Sequence, residues 1–110
     1  MQKIIYDFRP APSIEVNGHV FTLRMSDADI FDQALKISAR YAKLSAKTPP
    51  AQVLKAVREC AAAVDEMLGE GAMAKISAGR PVRMADALNV MTLIAEAAAR
   101  SYTEKLESYE

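Results

Sequence analysis

The segment that decides the fold is residues 13–23, which read SIEVNGHVFTL. Two runs of alternating apolar and polar side chains flank Asn17 and Gly18, the pair best able to hold positive φ at both positions of a two-residue turn. The segment therefore predicts a β-hairpin with one core-facing side. That side carries Ile14, Val16, His19, Phe21 and Leu23, and the other carries Glu15, Val20, Thr22 and Arg24.

Outward from the hairpin, residues 1–12 contain the β-prone run IIY at 4–6, then Phe8, and end in Pro10 and Pro12. Because proline fixes φ and lacks an amide donor, we expect this segment to be an extended arm or an edge strand. It is a candidate for a strand exchanged between copies. We expect the remainder, 13–110, to form a single domain.

On the other side of the hairpin, Ser26 precedes two acidic residues, Asp27 and Asp29, as an N-cap does at the start of a helix. The apolar spacing predicts a helix over 27–46, and one of its faces is basic. The basic residues at steps of four, three and four are Lys36, Arg40, Lys43 and Lys47, which we call the basic stripe.

Three further helices follow in the pattern. Thr48 as a cap and the two prolines after it end the first helix and start a second one, which stops at Gly69. A short helix falls within 70–79. A long helix begins near Met84, and its apolar residues lie on two sides up to Ala99, as in a central helix. Beyond it a single stripe of Tyr102, Leu106 and Tyr109 remains.

These elements predict an α+β fold that is mostly α: an N-terminal β-hairpin packed on a small bundle of three main helices plus one short helix. The chain has 110 residues, 51% of them hydrophobic, with a formal net charge of zero. One Cys and one His can form neither an internal disulfide nor a zinc site of N and S ligands. No apolar run is long enough for a membrane span or signal peptide, so we expect a cytoplasmic protein that does not bind membranes.

No constellation predicts catalysis. Neither Cys60 nor His19 has another residue at a spacing typical of a catalytic motif. The acidic pairs are explained by helix capping and solvation. The segment GEG at 69–71 followed by Lys75 fails both the phosphate-loop and the dinucleotide-binding patterns. We therefore expect no catalytic, cofactor-binding or metal-binding residue, no cofactor, and no enzymatic activity.

Charge is segregated along the chain. Residues 31–60 carry six basic and two acidic side chains, whereas 84–110 carry two basic and five acidic ones. The basic stripe is either a solvated face, a surface for an acidic protein or another copy's acidic C-terminal helix, or a nucleic-acid surface. Nucleic acid is the least favoured, because the stripe lacks interleaved aromatic residues for base stacking.

The order of parts resembles a group of small tail-region proteins of siphophages and prophages described as tail assembly chaperones. The resemblance spans roughly 13–109 and is carried by the hairpin, by VDEMLGEGAMAKI at 64–76, by RPVR at 80–83 and by the helix that begins with DAL at 86–88. It implies a non-enzymatic protein of the host cytoplasm that binds the tape measure protein and tail tube subunits. The arm at 1–12 goes beyond the pattern of the group.

Two surfaces are therefore candidates for partner binding, the basic stripe and the tail stripe of Tyr102, Leu106 and Tyr109. An unpartnered apolar stripe suits a helical client or a homo-oligomer. The alternative function is a small nucleic-acid-binding regulatory protein that uses Lys36 to Lys47.

Overall fold

The computed structural model describes residues 1–8 and 10–107, with side chains described up to Arg100. It has a two-stranded antiparallel sheet followed by four helices, which confirms the mostly-α α+β prediction. The elements are β1 (Ser13–Val16), β2 (His19–Thr22), α1 (Asp27–Tyr41), α2 (Pro50–Leu68), α3 (Ala72–Ser77) and α4 (Met84–Glu107).

The hairpin forms in the predicted register, with Ile14 opposite Phe21 and Val16 opposite His19. The turn residues Asn17 and Gly18 have φ of 51° and 82°, as a type I′ turn requires. The ladder continues one step further, where the Leu23 amide donates to the Pro12 carbonyl at 2.9 Å. Phe21 and Leu23 are buried, so the predicted core face is confirmed.

Helix α1 begins as predicted and ends earlier than predicted. The Ser26 hydroxyl accepts the Asp29 amide at 3.1 Å. The helix stops at Tyr41 rather than near 46, which corrects the sequence prediction. Beyond it the Thr48 hydroxyl accepts the Ser45 amide at 2.9 Å, and such side-chain bonds compete with the helical ladder. Thr48 is therefore not the cap of α2; Pro49 occupies that position.

The junction of α2 and α3 is held by one carboxylate. Gly69 ends α2 at a φ of 116°, and its amide donates to the Asp65 carbonyl at 2.7 Å. The Asp65 carboxylate accepts the Met73 amide at 2.9 Å and the Gly71 amide at 3.3 Å. An acid in the last turn of α2 thus caps the free amides at the start of α3.

Helix α4 packs against both α1 and α2. Its fully or nearly fully buried residues are Ala87, Met91, Ile94 and Ala98, and Leu88, Val90 and Ala95 pack against the core in part. Both apolar sides predicted from the sequence therefore contribute to the core. Leu93 is 56% exposed, because the hairpin and α3 cover only part of the second apolar side. A single cluster of buried residues joins the hairpin and all four helices.

The arm lies outside this cluster. Its described residues, 1–8 and 10–12, form neither strand nor helix. Ile4, Ile5 and Phe8 are each 87% exposed, and the rings of Tyr6 and Phe8 meet edge to face at 5.2 Å. The molecule measures 63 × 28 × 28 Å. Within the described residues, none of the helices has the length and apolarity needed to cross a bilayer.

Candidate protein-binding site

An open cleft of about 600 Å³ lies between the hairpin turn, α3 and α4. The hairpin turn forms one wall, α3 and the link after it form the second, and the first half of α4 forms the third. The apolar residues that line it are Val16, Met73, Ile76, Ala78, Pro81, Val82, Val90 and Leu93. We call this concavity the hairpin cleft.

Local sequence features position each wall. The positive φ values of Asn17 and Gly18 turn the chain so that the Asn17 side chain reaches α3, where its Nδ2 donates to the Ile76 carbonyl at 3.1 Å. Ala78, at a φ of 53°, ends α3 and directs the chain toward α4. The hairpin turn and α3 are therefore fixed to each other by a polar bond at the edge of the cleft.

The start of α4 completes the site. The Asp86 carboxylate accepts the Arg83 amide at 3.4 Å, which caps the first turn of this helix. Further along α4, Val90 and Leu93 are three positions apart, so they lie on one side of the helix, and both line the cleft. The exposed part of Leu93 is apolar surface that the chain itself does not cover.

Charged groups stand at the rim of the hairpin cleft. Lys75 on α3 and Arg80 in the link are exposed basic residues, and Asp86 is an exposed acid across from them on α4. His19 also lines the cleft, and its ring lies 6.2 Å from that of Phe21. Asn17, Ser77 and Asn89 also line the cleft, so apolar and polar groups share its surface, as they do in protein-binding interfaces.

The basic stripe does not form one helical face. Lys36 and Arg40 lie on α1, whereas Lys43 and Lys47 follow the end of that helix at Tyr41. Lys36 pairs with Asp32 at 2.8 Å, and Arg40 pairs with Glu59 of α2.

Acidic groups border the helical half of the stripe. The groove between α1 and α2 that Lys36 and Arg40 border also contains Asp32, Glu59 and Glu66. Lys43 and Lys47 are both exposed in the link. The positive charge of the stripe is therefore offset on α1 and remains in the link after it.

The tail stripe is only partly within the described residues. The backbone of α4 includes Tyr102 and Leu106, while their side chains and the whole of Tyr109 lie outside the described residues. The structure therefore describes only the backbone of the tail stripe, and only as far as Leu106.

Cys60 and His19 occupy different environments. Cys60 is fully buried in α2, and burial raises the pKa of its thiol above the usual value. A nucleophilic thiol requires the opposite shift, because the thiolate is the reactive form. His19 is exposed on the hairpin. Among the described residues, no group of three or more His, Cys, Asp or Glu is placed to hold a metal ion.

Three features of the structure were not predicted from the sequence. The hairpin cleft joins segments that are distant in the chain, and the exposure of Leu93 depends on which side of α4 the neighbours cover. The capping role of Asp65 was also missed, although a carboxylate a few residues before the Gly69–Gly71 turn is a signal for it.

Comparison with known proteins gives no relative: no family model, curated protein or solved structure matches this chain.

Proposed function

We propose that this protein is a non-enzymatic assembly protein that binds an apolar segment of a partner protein in the hairpin cleft. The observation that carries this proposal is the open apolar floor that ends in Leu93 of α4. Its resemblance to phage tail assembly chaperones favours the tape measure protein as the client, with tail tube subunits as a second partner. The protein would then act in the host cytoplasm during tail assembly.

Physical chemistry supports a helical or extended client. Apolar side chains spaced along one side of such a segment would cover the exposed parts of Val90 and Leu93 on α4. Burial of apolar surface contributes about 25 cal/mol per Å², and the entropy lost on association offsets part of this gain, so contacts on this scale favour a weak and reversible complex.

The test is co-expression with the tape measure protein of the same phage genome. We expect the tape measure protein to become soluble and to co-purify with this chain. Leu93→Asp should reduce the recovered client at least tenfold, because it places a charge in the apolar floor. The matched control is Leu35→Asp on α1, since Leu35 is a helical leucine that is 70% exposed and does not line the cleft.

Two results would overturn this function. One is a tape measure protein that stays insoluble and is not captured by the wild-type chain. The other is equal capture by the wild type and by Leu93→Asp, which would place the client elsewhere, with the tail stripe as the next surface to vary.

Nucleic-acid binding through the basic stripe is the less favoured function, because the two basic side chains on α1, Lys36 and Arg40, form ion pairs with acidic side chains. A shift assay at low salt separates the two functions. Binding to duplex DNA that weakens with salt and is lost in Lys43→Gln with Lys47→Gln would favour the nucleic-acid function instead.

A further inference from the structure

We infer that the hairpin cleft of one copy is filled by the arm of a second copy, in which Ile4, Tyr6 and Phe8 cover the apolar floor. This inference rests on the proposed function only in treating the cleft as a protein-binding surface. Its partner is another copy of this chain and not the client.

The arm has the composition of a docking segment. In an extended chain, alternate side chains point the same way, so Ile4, Tyr6 and Phe8 share one side. All three are largely exposed, and the arm is not covered by its own chain. Exposed apolar residues in such a cluster indicate an interaction surface.

The three apolar side chains of the arm lie close together along the chain. Four steps from Ile4 to Phe8 span about 13 Å at about 3.3 Å per residue. One short extended segment can therefore present all three to a single concave surface.

The arm is poorly placed to fill the cleft of its own chain. It joins the hairpin at Pro12, which is bonded to Leu23 at the open end of the sheet, while the cleft lies at the turn. To reach it, the arm would have to reverse direction near Pro10 and Pro12. Proline fixes φ and favours extended backbone in the preceding residue, which opposes such a reversal.

Charge favours the same pairing. Lys3 and Asp7 point away from the side that carries the apolar residues, so in a docked arm they lie toward the mouth of the open cleft. There Asp7 is complementary to the exposed Lys75 and Arg80, and Lys3 is complementary to the exposed Asp86. Such complementarity orients a segment in a groove more than it adds affinity.

Reciprocal exchange provides enough area for a specific dimer. Each enclosed aromatic side chain buries about 150–250 Å², so the two aromatic residues of both arms contribute about 600–1,000 Å². Ile4 and the covered cleft surface raise the total toward the roughly 1,200 Å² at which standard interfaces begin. Because the arm and the client use one surface, client binding would release the arm.

The first experiment measures the oligomeric state of the full chain without client by light scattering over a concentration series. We expect a dimer for the wild type and for Leu35→Asp. We expect monomers for the double variant Ile4→Asp with Phe8→Asp and for Leu93→Asp, each with an unchanged circular dichroism spectrum. A monomeric wild type at every concentration, or a dimer that survives both sets of changes, would overturn the inference.

The second experiment distinguishes exchange from packing of arm on arm. The double arm variant has an intact cleft and Leu93→Asp has an intact arm, so a one-to-one mixture should recover a dimer with one docked arm. Packing of arm on arm predicts no recovery, and that outcome would overturn the inference.

The third experiment tests the contact itself. A chain with Phe8→Cys is mixed with a chain with Leu93→Cys under mild oxidation, while Cys60 stays buried in both. The expected product is an intermolecular disulfide between the two introduced thiols. In a chain that carries both changes, a disulfide that forms only within one molecule would overturn the inference. None of these measurements uses the client, so they stand or fail independently of the chaperone function.

Discussion

The side chain of Asn17 donates from Nδ2 to the backbone carbonyl of Ile76 at 3.1 Å, across 59 positions of the chain. The same residue has positive φ in the hairpin turn, so one side chain serves both the turn and its contact with α3. The donor also lies at the edge of the hairpin cleft. The position of this wall therefore depends on a polar bond as well as on apolar packing.

Asn17→Asp should lower the free energy of unfolding by about 1–3 kcal/mol, because a carboxylate replaces the donor beside a carbonyl. Aspartate also tolerates positive φ, so the turn itself is retained. Urea unfolding followed by circular dichroism measures the change. The control Asn89→Asp, at an exposed position of α4, should stay within about 0.5 kcal/mol. Equal losses in both variants would show that the bond to Ile76 contributes nothing specific.

Asp65→Ala should destabilise the protein by about 1–2 kcal/mol, the usual cost of losing a helix cap. It removes the acceptor for the Met73 and Gly71 amides, for which the described residues provide no other hydrogen-bond partner. Hydrogen exchange at these two amides should rise more than elsewhere in the chain. Glu96→Ala, which removes an exposed carboxylate from α4, is the matched control. Unchanged exchange at Met73 would contradict the capping role.

Ile94→Ala should cost about 2–5 kcal/mol, because this side chain is fully buried and its removal leaves a cavity. Leu93→Ala, one position earlier, should change the free energy of unfolding by less than about 0.5 kcal/mol, since Leu93 is half exposed. Chemical denaturation of the two variants compares adjacent positions of one helix. A similar loss of unfolding free energy in the two variants would mean that the side of α4 that carries Leu93 is enclosed.

The thiol of Cys60 should react with an aromatic disulfide reagent only when the protein unfolds, since its side chain is fully buried. The absorbance of the released thiolate measures the rate, which should rise steeply across the urea transition. Rapid reaction in buffer would contradict the buried position.

Burial also makes the contribution of Cys60 to stability depend on pH. Its pKa is raised in the folded state, so the folded protein disfavours the thiolate. The contribution is fully present below the usual thiol pKa and is lost as the pH rises through the folded pKa. The stability difference between wild type and Cys60→Ala should therefore shrink between pH 7 and pH 10, and a constant difference would contradict it.

The parts that the sequence predicts correctly are those that neighbouring residues determine. Asn17 and Gly18 define the hairpin register, and Ser26 defines the start of α1. The predicted end of α1 was wrong because the Thr48 hydroxyl accepts a hydrogen bond from the Ser45 amide. The spacing of apolar residues contains no information about such a bond. Periodicity alone favours a helix as far as the next proline.

The candidate site could not be predicted in the same way. The hairpin cleft exists because a turn, a short helix and the start of α4 meet in space, and no local pattern encodes that meeting. The apolar residues of α4 were identified, but which of them stay exposed depends on the area that the hairpin and α3 cover. The basic stripe was read as one face because its spacing is helical, and the early end of α1 divides it.

The bond between Asn17 and Ile76 has a consequence for the order of events during synthesis. The N-terminal hairpin leaves the ribosome first, yet its partners in α2 and α3 follow it by dozens of residues, since the Arg24 amide bonds Met67 and Asn17 bonds Ile76. Contacts of such long sequence separation form late. The hairpin cleft is likewise incomplete until α3 and the start of α4 have emerged, so exchange of arms between copies begins only after most of each chain has been made.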